Sequence, residues 1–340
     1  MDKKNVAIIG AGAAGSYAAY LLKKEGFGVS VFEKSKGVGG RTASWRPTQN
    51  DSSQDECSLR INYGAQFFTQ KSKELDSFYQ TLQEEQVISE FLDPIYYLNQ
   101  QDKLKVEAQK ERRFTGNPGM NDLCRWGLKD SKVYLSHKVI SLKKEKVWHL
   151  FFDHQETMSG FSHCLMTQRT EQAKPLWEMV SGIDFLEKKM DGCFCLVLSS
   201  SLPLERPFAA FVRSSPISWV RGYQNLKGSI YVLHSNRFYA ASYDQNNKDV
   251  EQGMIDALGQ ILGTLGREQI SGRFEVLKRH FWRYSMVKDL SLSGDDKKMA
   301  SLYDRSLMLG YASDSLIGGR IEGAFLSAHD LVLQIMQDNR

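Results

Sequence analysis

The chain has 340 residues, an ordinary apolar and aromatic content, and a net charge of +4 spread over scattered basic residues. That length suits two domains or one large α/β domain. No apolar run approaches the ~18 residues of a membrane-spanning helix, and no nucleic-acid-binding motif accompanies the positive charge, so neither a membrane nor a nucleic acid is an expected partner. The five cysteines, Cys57, Cys124, Cys164, Cys193 and Cys195, are odd in number and widely spread, which argues against a disulfide framework. Cys193 and Cys195 fall on one face of a strand and read more simply as small packed side chains than as a redox or metal pair. No Cys/His spacing predicts a metal site.

Val6 to Ile9 reads as a buried parallel strand. The turn after it carries Gly10, Gly12 and Gly15 at G-x-G-x-x-G spacing. The first glycine allows a tight turn, the second leaves room for backbone to approach a pyrophosphate, and the third lets the next helix pack close to the strand. That helix, about Ala13 to Lys24 with Ala14 in its first turn, aims its N–H groups and positive dipole end at the phosphates. Gly26 stops it. A second strand, Val29 to Phe32, ends at Glu33 and Lys34. An acid there suits a bidentate bond to ribose hydroxyls and repels a 2′-phosphate. A plain glycine turn is the alternative, but strand, turn, helix, strand and acid stand in the order a dinucleotide site requires. Lys3 and Lys4 before an apolar stretch resemble a leader peptide; cleavage there would remove the binding turn, so the expected location is cytoplasmic.

Gly37, Gly39, Gly40, Arg41 and Thr42 make a second glycine turn ending in arginine. An NAD dehydrogenase does not need it. A protein holding FAD along its whole length does, because the chain must pass close to the pyrophosphate and ribityl a second time, and Arg41 can pair with phosphate. This stretch resembles the flavin-containing amine oxidase superfamily. Asn62-Tyr63-Gly64-Ala65-Gln66-Phe67-Phe68-Thr69 resembles the Gly-Ala-Gln-aromatic segment of renalases and their bacterial relatives. Gly40, Arg41, Gln66 and Phe67 thereby join Gly10, Gly12, Ala14, Gly15, Glu33 and Lys34 as candidate cofactor contacts.

Ser44 to Arg60 is polar and reads as an excursion. Lys71 to Gln86 shows a helical apolar stripe of Leu75, Phe78, Tyr79 and Leu82. Phe91 to Val106 reads as strands with a turn at Asn99 to Lys103, and Met120 to Lys129 as a helix. Val133–Leu135, Val139–Leu142, Val147–Phe152 and Cys164–Met166 form short bursts that fit a small antiparallel meander returning to the central sheet. The resemblance implies that Val139 meets the adenine. Arg169 stands where relatives commonly carry a proline, which puts the turn at Thr167 to Arg169 in question. Glu171 to Val180 is helical, and Asp191–Leu198, Phe208–Val212, Trp219–Tyr223, Ser229–His234 and Phe274–Tyr284 are strands of an antiparallel sheet with an amphipathic helix at Asp249–Leu265. His234 and His280 are lone strand histidines, more simply core than acid or base.

Leu307 to Ala312 predicts a last parallel strand, followed by Asp314 and by Gly318-Gly319-Arg320-Ile321, which opens a final helix. This resembles the C-terminal flavin segment of the same superfamily, in which an acid meets the ribityl–phosphate and the helix start faces the isoalloxazine; those positions are Asp314 and Ile321. With no cysteine after Cys195, the resemblance implies non-covalent FAD. The expected fold is α/β: a Rossmann-type FAD domain with a parallel sheet, helices and a β-meander over 1–72, 114–169 and 303–340, and an inserted α+β substrate domain with an antiparallel sheet over 73–113 and 170–302. Trp282 and Tyr284 share a strand face and read either as core or as pocket wall. A Trp-Arg-x-Ser resemblance to renalases supports the wall, with Gln66 beside flavin or substrate; Gln66, Trp282 and Tyr284 are the catalytic candidates. The resemblance implies a small-molecule oxidase that returns aberrant dihydro-NAD(P) isomers to NAD(P)⁺ with dioxygen as acceptor. An amine oxidase and a non-catalytic flavin scaffold or sensor are the alternatives. Oligomeric state is not encoded in these motifs.

Overall fold

The computed structural model describes residues 4–47, 60–98, 104–106, 111–225, 227–267, 274–288 and 299–338. Cys57, the turn at 99–103 and most of the polar excursion lie outside the described residues. The chain divides into two compact units, one of Met1–Glu90, Arg113–Lys189 and Val287–Arg340, the other of Phe91–Arg112 and Met190–Met286.

The first unit is built on β1 (Asn5–Ile9). It lies inside a six-stranded sheet ordered Lys132–Leu135, β2 (Gly28–Glu33), β1, His163–Met166, Leu309–Tyr311 and Leu302–Asp304. All pairings are parallel except the last, an antiparallel edge. β1 is apolar throughout because both of its faces are covered. Val6 and Ile8 join one core with α1 (Ala13–Lys24), and Ala7 and Ile9 join the other. Gly26, at φ +82°, ends α1 as expected, with its N–H on Lys23 O. Tyr17 of α1 packs against Phe78 at 4.3 Å and Phe325 at 5.3 Å.

Those contacts move the domain boundaries drawn at 73 and 170. The stripe Leu75, Phe78, Tyr79 and Leu82 buries in the α1 core, and Ala173, Leu176 and Trp177 bury in the core on the opposite face of the sheet. Residues 73–90 and 170–189 therefore belong to the first unit. The meander also differs from expectation. It consists of Val139–Lys144, Trp148–Phe152 and Thr157–Phe161, whereas Lys132–Leu135 pairs in parallel with β2. A parallel partner needs a crossover; here residues 34–131 lie between the two strands, and helix Asp122–Gly127 leads into the second. That helix starts later than the periodicity suggests, because Met120 N–H donates to Asn62 Oδ1 at 2.9 Å.

The second unit holds a seven-stranded sheet ordered Glu275–Val287, Met190–Ser200, Gly228–Ser235, Ile217–Asn225, Phe208–Val212, Ile95–Leu98 and Leu104–Val106. Phe208–Val212 and Ile95–Leu98 pair in parallel, which departs from the all-antiparallel expectation and joins two separate passages of the chain. Helix Asp249–Thr264 buries Val250, Met254, Leu258 and Ile261 against the core of this sheet.

His163 sits opposite Val6 in the central sheet and is 1% exposed. Burial first, then Lys4 and Lys144, pushes its pKa down from 6.5 to about 4. Between those values the unfolded chain binds a proton that the folded one refuses, so stability falls as pH falls through that window. The full shift corresponds to about 3 kcal/mol at 1.36 kcal/mol per unit. Urea midpoints measured from pH 7 down to about 4.5 should drop steeply for the wild type and less for His163→Gln. Equal slopes would show that this histidine does not control the acid limb.

Candidate dinucleotide-binding site

The strand order reverses between β1 and His163–Met166, and in such sheets the ligand crevice lies beyond the carboxyl ends of those strands. Gly10 turns there at φ +112°, a conformation L side chains rarely adopt. Its N–H donates to Phe32 O at 2.8 Å. Thr167 Oγ1, at the end of the neighbouring strand, lies 3.1 Å from Ile9 O and 3.0 Å from Gly10 O, donating toward both. A Cβ on Gly15 would stand 2.0 Å from Gly10 O and 2.6 Å from Thr167 Oγ1, so packing alone forbids a side chain. Gly12 is different: a Cβ there would meet only Gly39 O, at 3.9 Å. No packing contact among the described residues demands glycine at that point, while the close approach of a pyrophosphate would. α1 begins at Gly12 without a side-chain cap and without an acid in its first turn, where Ala14 lies, so its N-terminal N–H groups and positive end are available to an anion.

Glu33 is 8% exposed, with Oε2 accepting from Ala11 N–H and Oε1 from Ser35 N–H, both at 2.9 Å. Each oxygen keeps acceptor capacity for ribose hydroxyls. Lys34 beside it is exposed. His137 N–H donates to Glu33 O at 2.9 Å and sets the start of the meander next to the acid. Val139 follows, buried, at a bulge in its strand.

The second glycine turn is tied to the first by Gly39 N–H on Ala11 O at 2.9 Å, and Ala65 N–H donates to Arg41 O at 2.9 Å. Arg41 Nη2 meets Asp314 Oδ1 at 2.5 Å. Burial opposes the Arg41 charge, but Asp314, with Tyr311 and Glu171, outweighs it and raises the guanidinium pKa. The two residues that the sequence nominates separately thus form one ion pair. Gly319 N–H donates to Asp314 O at 2.7 Å, and helix Ile321–Asp338 starts two residues later. A Cβ on Gly318 would meet nothing within 4 Å.

Gln66 is 4% exposed, and its Nε2 donates to Asn62 O and, at 3.1 Å, to Gly64 O. Its Oε1 is buried without a hydrogen bond from the described residues, as are Asn121 Oδ1 and Gln168 Oε1. Asn121 abuts Gly39, and the Gln168 backbone abuts Gly10. Three unsatisfied acceptors on residues bordering the glycine segments fit a ligand that brings hydroxyl and N–H donors, as FAD does. The Phe67 ring lies under Arg113 at 5.3 Å. Arg169, in place of a proline, has φ −65° and ψ 156°, the backbone a proline would fix, so the turn into helix Thr170–Glu178 is kept.

Two functional positions escaped the sequence reading. Thr167 clamps the glycine turn. Glu322, 8% exposed, accepts from Lys71 N–H at 2.8 Å, Ser72 N–H at 3.0 Å and Tyr79 Oη at 3.3 Å, which fixes the segment after Phe68 against the final helix. An acid in a helix's first turn was the available signal for Glu322. In the second unit, Phe281 packs on that unit's core. Trp282 and Tyr284 take the opposite strand face by alternation, with the Trp282 ring 4.2 Å from His280.

Residues 8–82 match the model of the NAD(P)-binding Rossmann-like domain family. A flavin-containing monooxygenase of Arabidopsis thaliana, FMO GS-OX-like 6, is 55% identical over 40 residues, which span 12% of this chain and 8% of that protein. A putrescine oxidase solved with putrescine aligns over 98% of this chain and 99% of its own at 12% identity and TM-score 0.64. A fatty acid isomerase from P. acnes aligns over 98% of both chains at 13% identity and TM-score 0.69. An oxidoreductase from Methanosarcina mazei aligns over 97% of this chain and 100% of its own at 12% identity and TM-score 0.65. The chain therefore has the α/β fold of these flavin-oxidase-like structures, with a Rossmann domain at its N-terminal end.

The two glycines give a discriminating test. Gly12→Ala should fold to within about 1 kcal/mol of the wild type, the scale of a helix N-cap change, yet weaken FAD binding at least tenfold. Gly15→Ala should lower the melting temperature of the cofactor-free chain, because its methyl has no room. Unchanged FAD affinity in Gly12→Ala would remove the pyrophosphate from this turn.

Proposed function

We propose that the chain is an FAD-dependent oxidoreductase that holds its cofactor non-covalently and takes a hydride from a small organic substrate. The observation that carries this reading is the meeting of the two glycine turns with the Asp314–Ile321 segment through the Arg41–Asp314 ion pair. A site for NAD alone needs only the first of these. When bound, FAD supplies a two-electron acceptor that dioxygen reoxidises, giving hydrogen peroxide.

The chain's residues hold and orient. The α1 N-terminus would face the pyrophosphate, with Arg41 held beside it by Asp314, Glu33 would bind the ribose, and Val139 is the adenine contact that the resemblance implies. Ile321 N–H and the positive end of the final helix would stabilise negative charge on the reduced ring, as the resemblance implies. Gln66 offers Oε1 as an acceptor, and Trp282 and Tyr284 are nominated as substrate contacts by the resemblance to renalases alone. The finer assignment is oxidation of aberrant dihydro-NAD(P) isomers, supported by the Gly-Ala-Gln-aromatic and Trp-Arg-x-Ser resemblances to renalases. A dihydropyridine becomes an aromatic cation on losing hydride, so no protein base is needed. Amine oxidation is the second reading, favoured by the likeness to putrescine oxidase.

Purified protein should be yellow, and acid should release intact FAD into the supernatant. Flavin retained on the precipitate would defeat non-covalent binding. Glu33→Ala should lose a charge-assisted contact of about 1.5–3 kcal/mol, tenfold or more in Kd. Anaerobic bleaching against amines and dihydronicotinamide isomers decides the substrate. The isomers should bleach the flavin at a rate nearly flat across neutral pH, slowed by deuterium on the transferred carbon and little changed in Tyr284→Phe. A rate that climbs with one ionisation would favour amines, and no bleaching by any candidate would leave a flavin-binding protein without turnover.

A further inference from the structure

The meander of the first unit carries a side-chain cluster that the dinucleotide site does not use. His137, His154 and Glu156 each offer one ligand atom, and these atoms lie within 4.8 Å of one another. His154 Nε2 stands 2.9 Å and His137 Nε2 3.5 Å from the same oxygen, Glu156 Oε2. The other ring nitrogens are also engaged. His137 Nδ1 is 2.7 Å from Leu135 O, a carbonyl that can only accept, so Nδ1 carries the proton and Nε2 the lone pair. His154 Nδ1 is 3.3 Å from Asp153 Oδ1, and its Nε2, donating to Glu156 Oε2 at 2.9 Å, carries a proton that an incoming ion would displace. The two rings meet at 81°, edge to face. The backbone beneath is fixed: His137 N–H donates to Glu33 O at 2.9 Å and Phe152 N–H to Glu156 O at 3.0 Å. Histidines that ligate metals show this pattern, with one nitrogen on the ion and the other N–H held by a carbonyl or carboxylate.

We propose that His137 Nε2, His154 Nε2 and Glu156 Oε2 bind one divalent transition-metal ion of the zinc type. Two imidazoles and one carboxylate suit zinc, cobalt or nickel and disfavour magnesium and calcium, which take oxygen ligands. Zinc–ligand bonds of about 2.0–2.2 Å in a tetrahedron place ligand atoms about 3.4 Å apart. The two distances to Glu156 bracket that value. The remaining edge is no longer than 4.8 Å, and His154, whose side chain is 40% exposed, has room to rotate. Three protein ligands leave the fourth position to water or an incoming donor. Without an ion, the same groups form only a solvent-facing ion pair of small worth.

The test is isothermal titration of zinc chloride into the full chain, carrying FAD and no affinity tag, after chelator treatment and its removal. One zinc per chain is expected, with micromolar affinity. His154→Ala and Glu156→Gln, both at exposed positions, should each weaken it at least tenfold while flavin content and melting temperature stay at the wild-type values. His149→Ala, on the same meander and 3.6 Å from Glu145, should bind as the wild type does. Magnesium should give no heat. Absence of zinc binding by the wild type overturns the proposal, and so does full affinity in His154→Ala and Glu156→Gln, which would place the ion elsewhere.

Discussion

The contact on which the rest of the first unit depends is the approach of α1 to the end of β1. At Gly15 the helix comes so close to Gly10 O that a methyl group would overlap a backbone atom. That approach fixes where the helix begins and where its free N–H groups point. Thr167 ties the neighbouring parallel strand to the same turn, and Ala11 O receives the second glycine turn through Gly39 N–H. Main-chain atoms thus position main-chain atoms, with few rotatable side chains involved. A ligand binding there orders little that is not already ordered, and so loses little affinity to reorganisation.

Much of this was legible because its determinants are local. Strand, glycines, helix and Glu33 fall within about thirty residues, and their spacing alone fixes their geometry. Gly26 and the strands of the second unit were readable for the same reason, since capping and alternation are local signals. Partnership was not. Nothing in the sequence tells that Arg41 pairs with an acid 273 positions away, or that Glu322 receives the N–H groups of Lys71 and Ser72. An apolar stripe such as Leu75, Phe78, Tyr79 and Leu82 says that a face is buried but not by what, which is why the domain boundary at 73 was misplaced. Val133–Leu135 is too short to name its neighbour, and Thr157–Phe161 is too polar to announce itself as a strand.

The shared chassis separates architecture from chemistry. Solved structures with this fold include an amine oxidase and a fatty acid isomerase at nearly the same low identity. Likeness of fold therefore does not carry the reaction with it. In this chain the Gln66 donors are committed to its own turn, and Trp282 and Tyr284 lie on the strand face opposite Phe281. Neither set belongs to the glycine framework, so chemistry can diverge while the framework is kept.

Glu33 carries a constraint of another kind. Its two carboxylate oxygens brace the backbone at Ala11 and Ser35 on either side of the strand end. The residue that would recognise the ribose is therefore also a clamp on the loops around it. Exchanging it for a neutral or basic side chain, the obvious route to admitting a 2′-phosphorylated nucleotide, would unfasten both loops at the moment the preference changed. A lineage or an engineer retuning this pocket would need a second substitution to restore the clamp before the first could be tolerated, so nucleotide preference here is protected by epistasis rather than by charge alone.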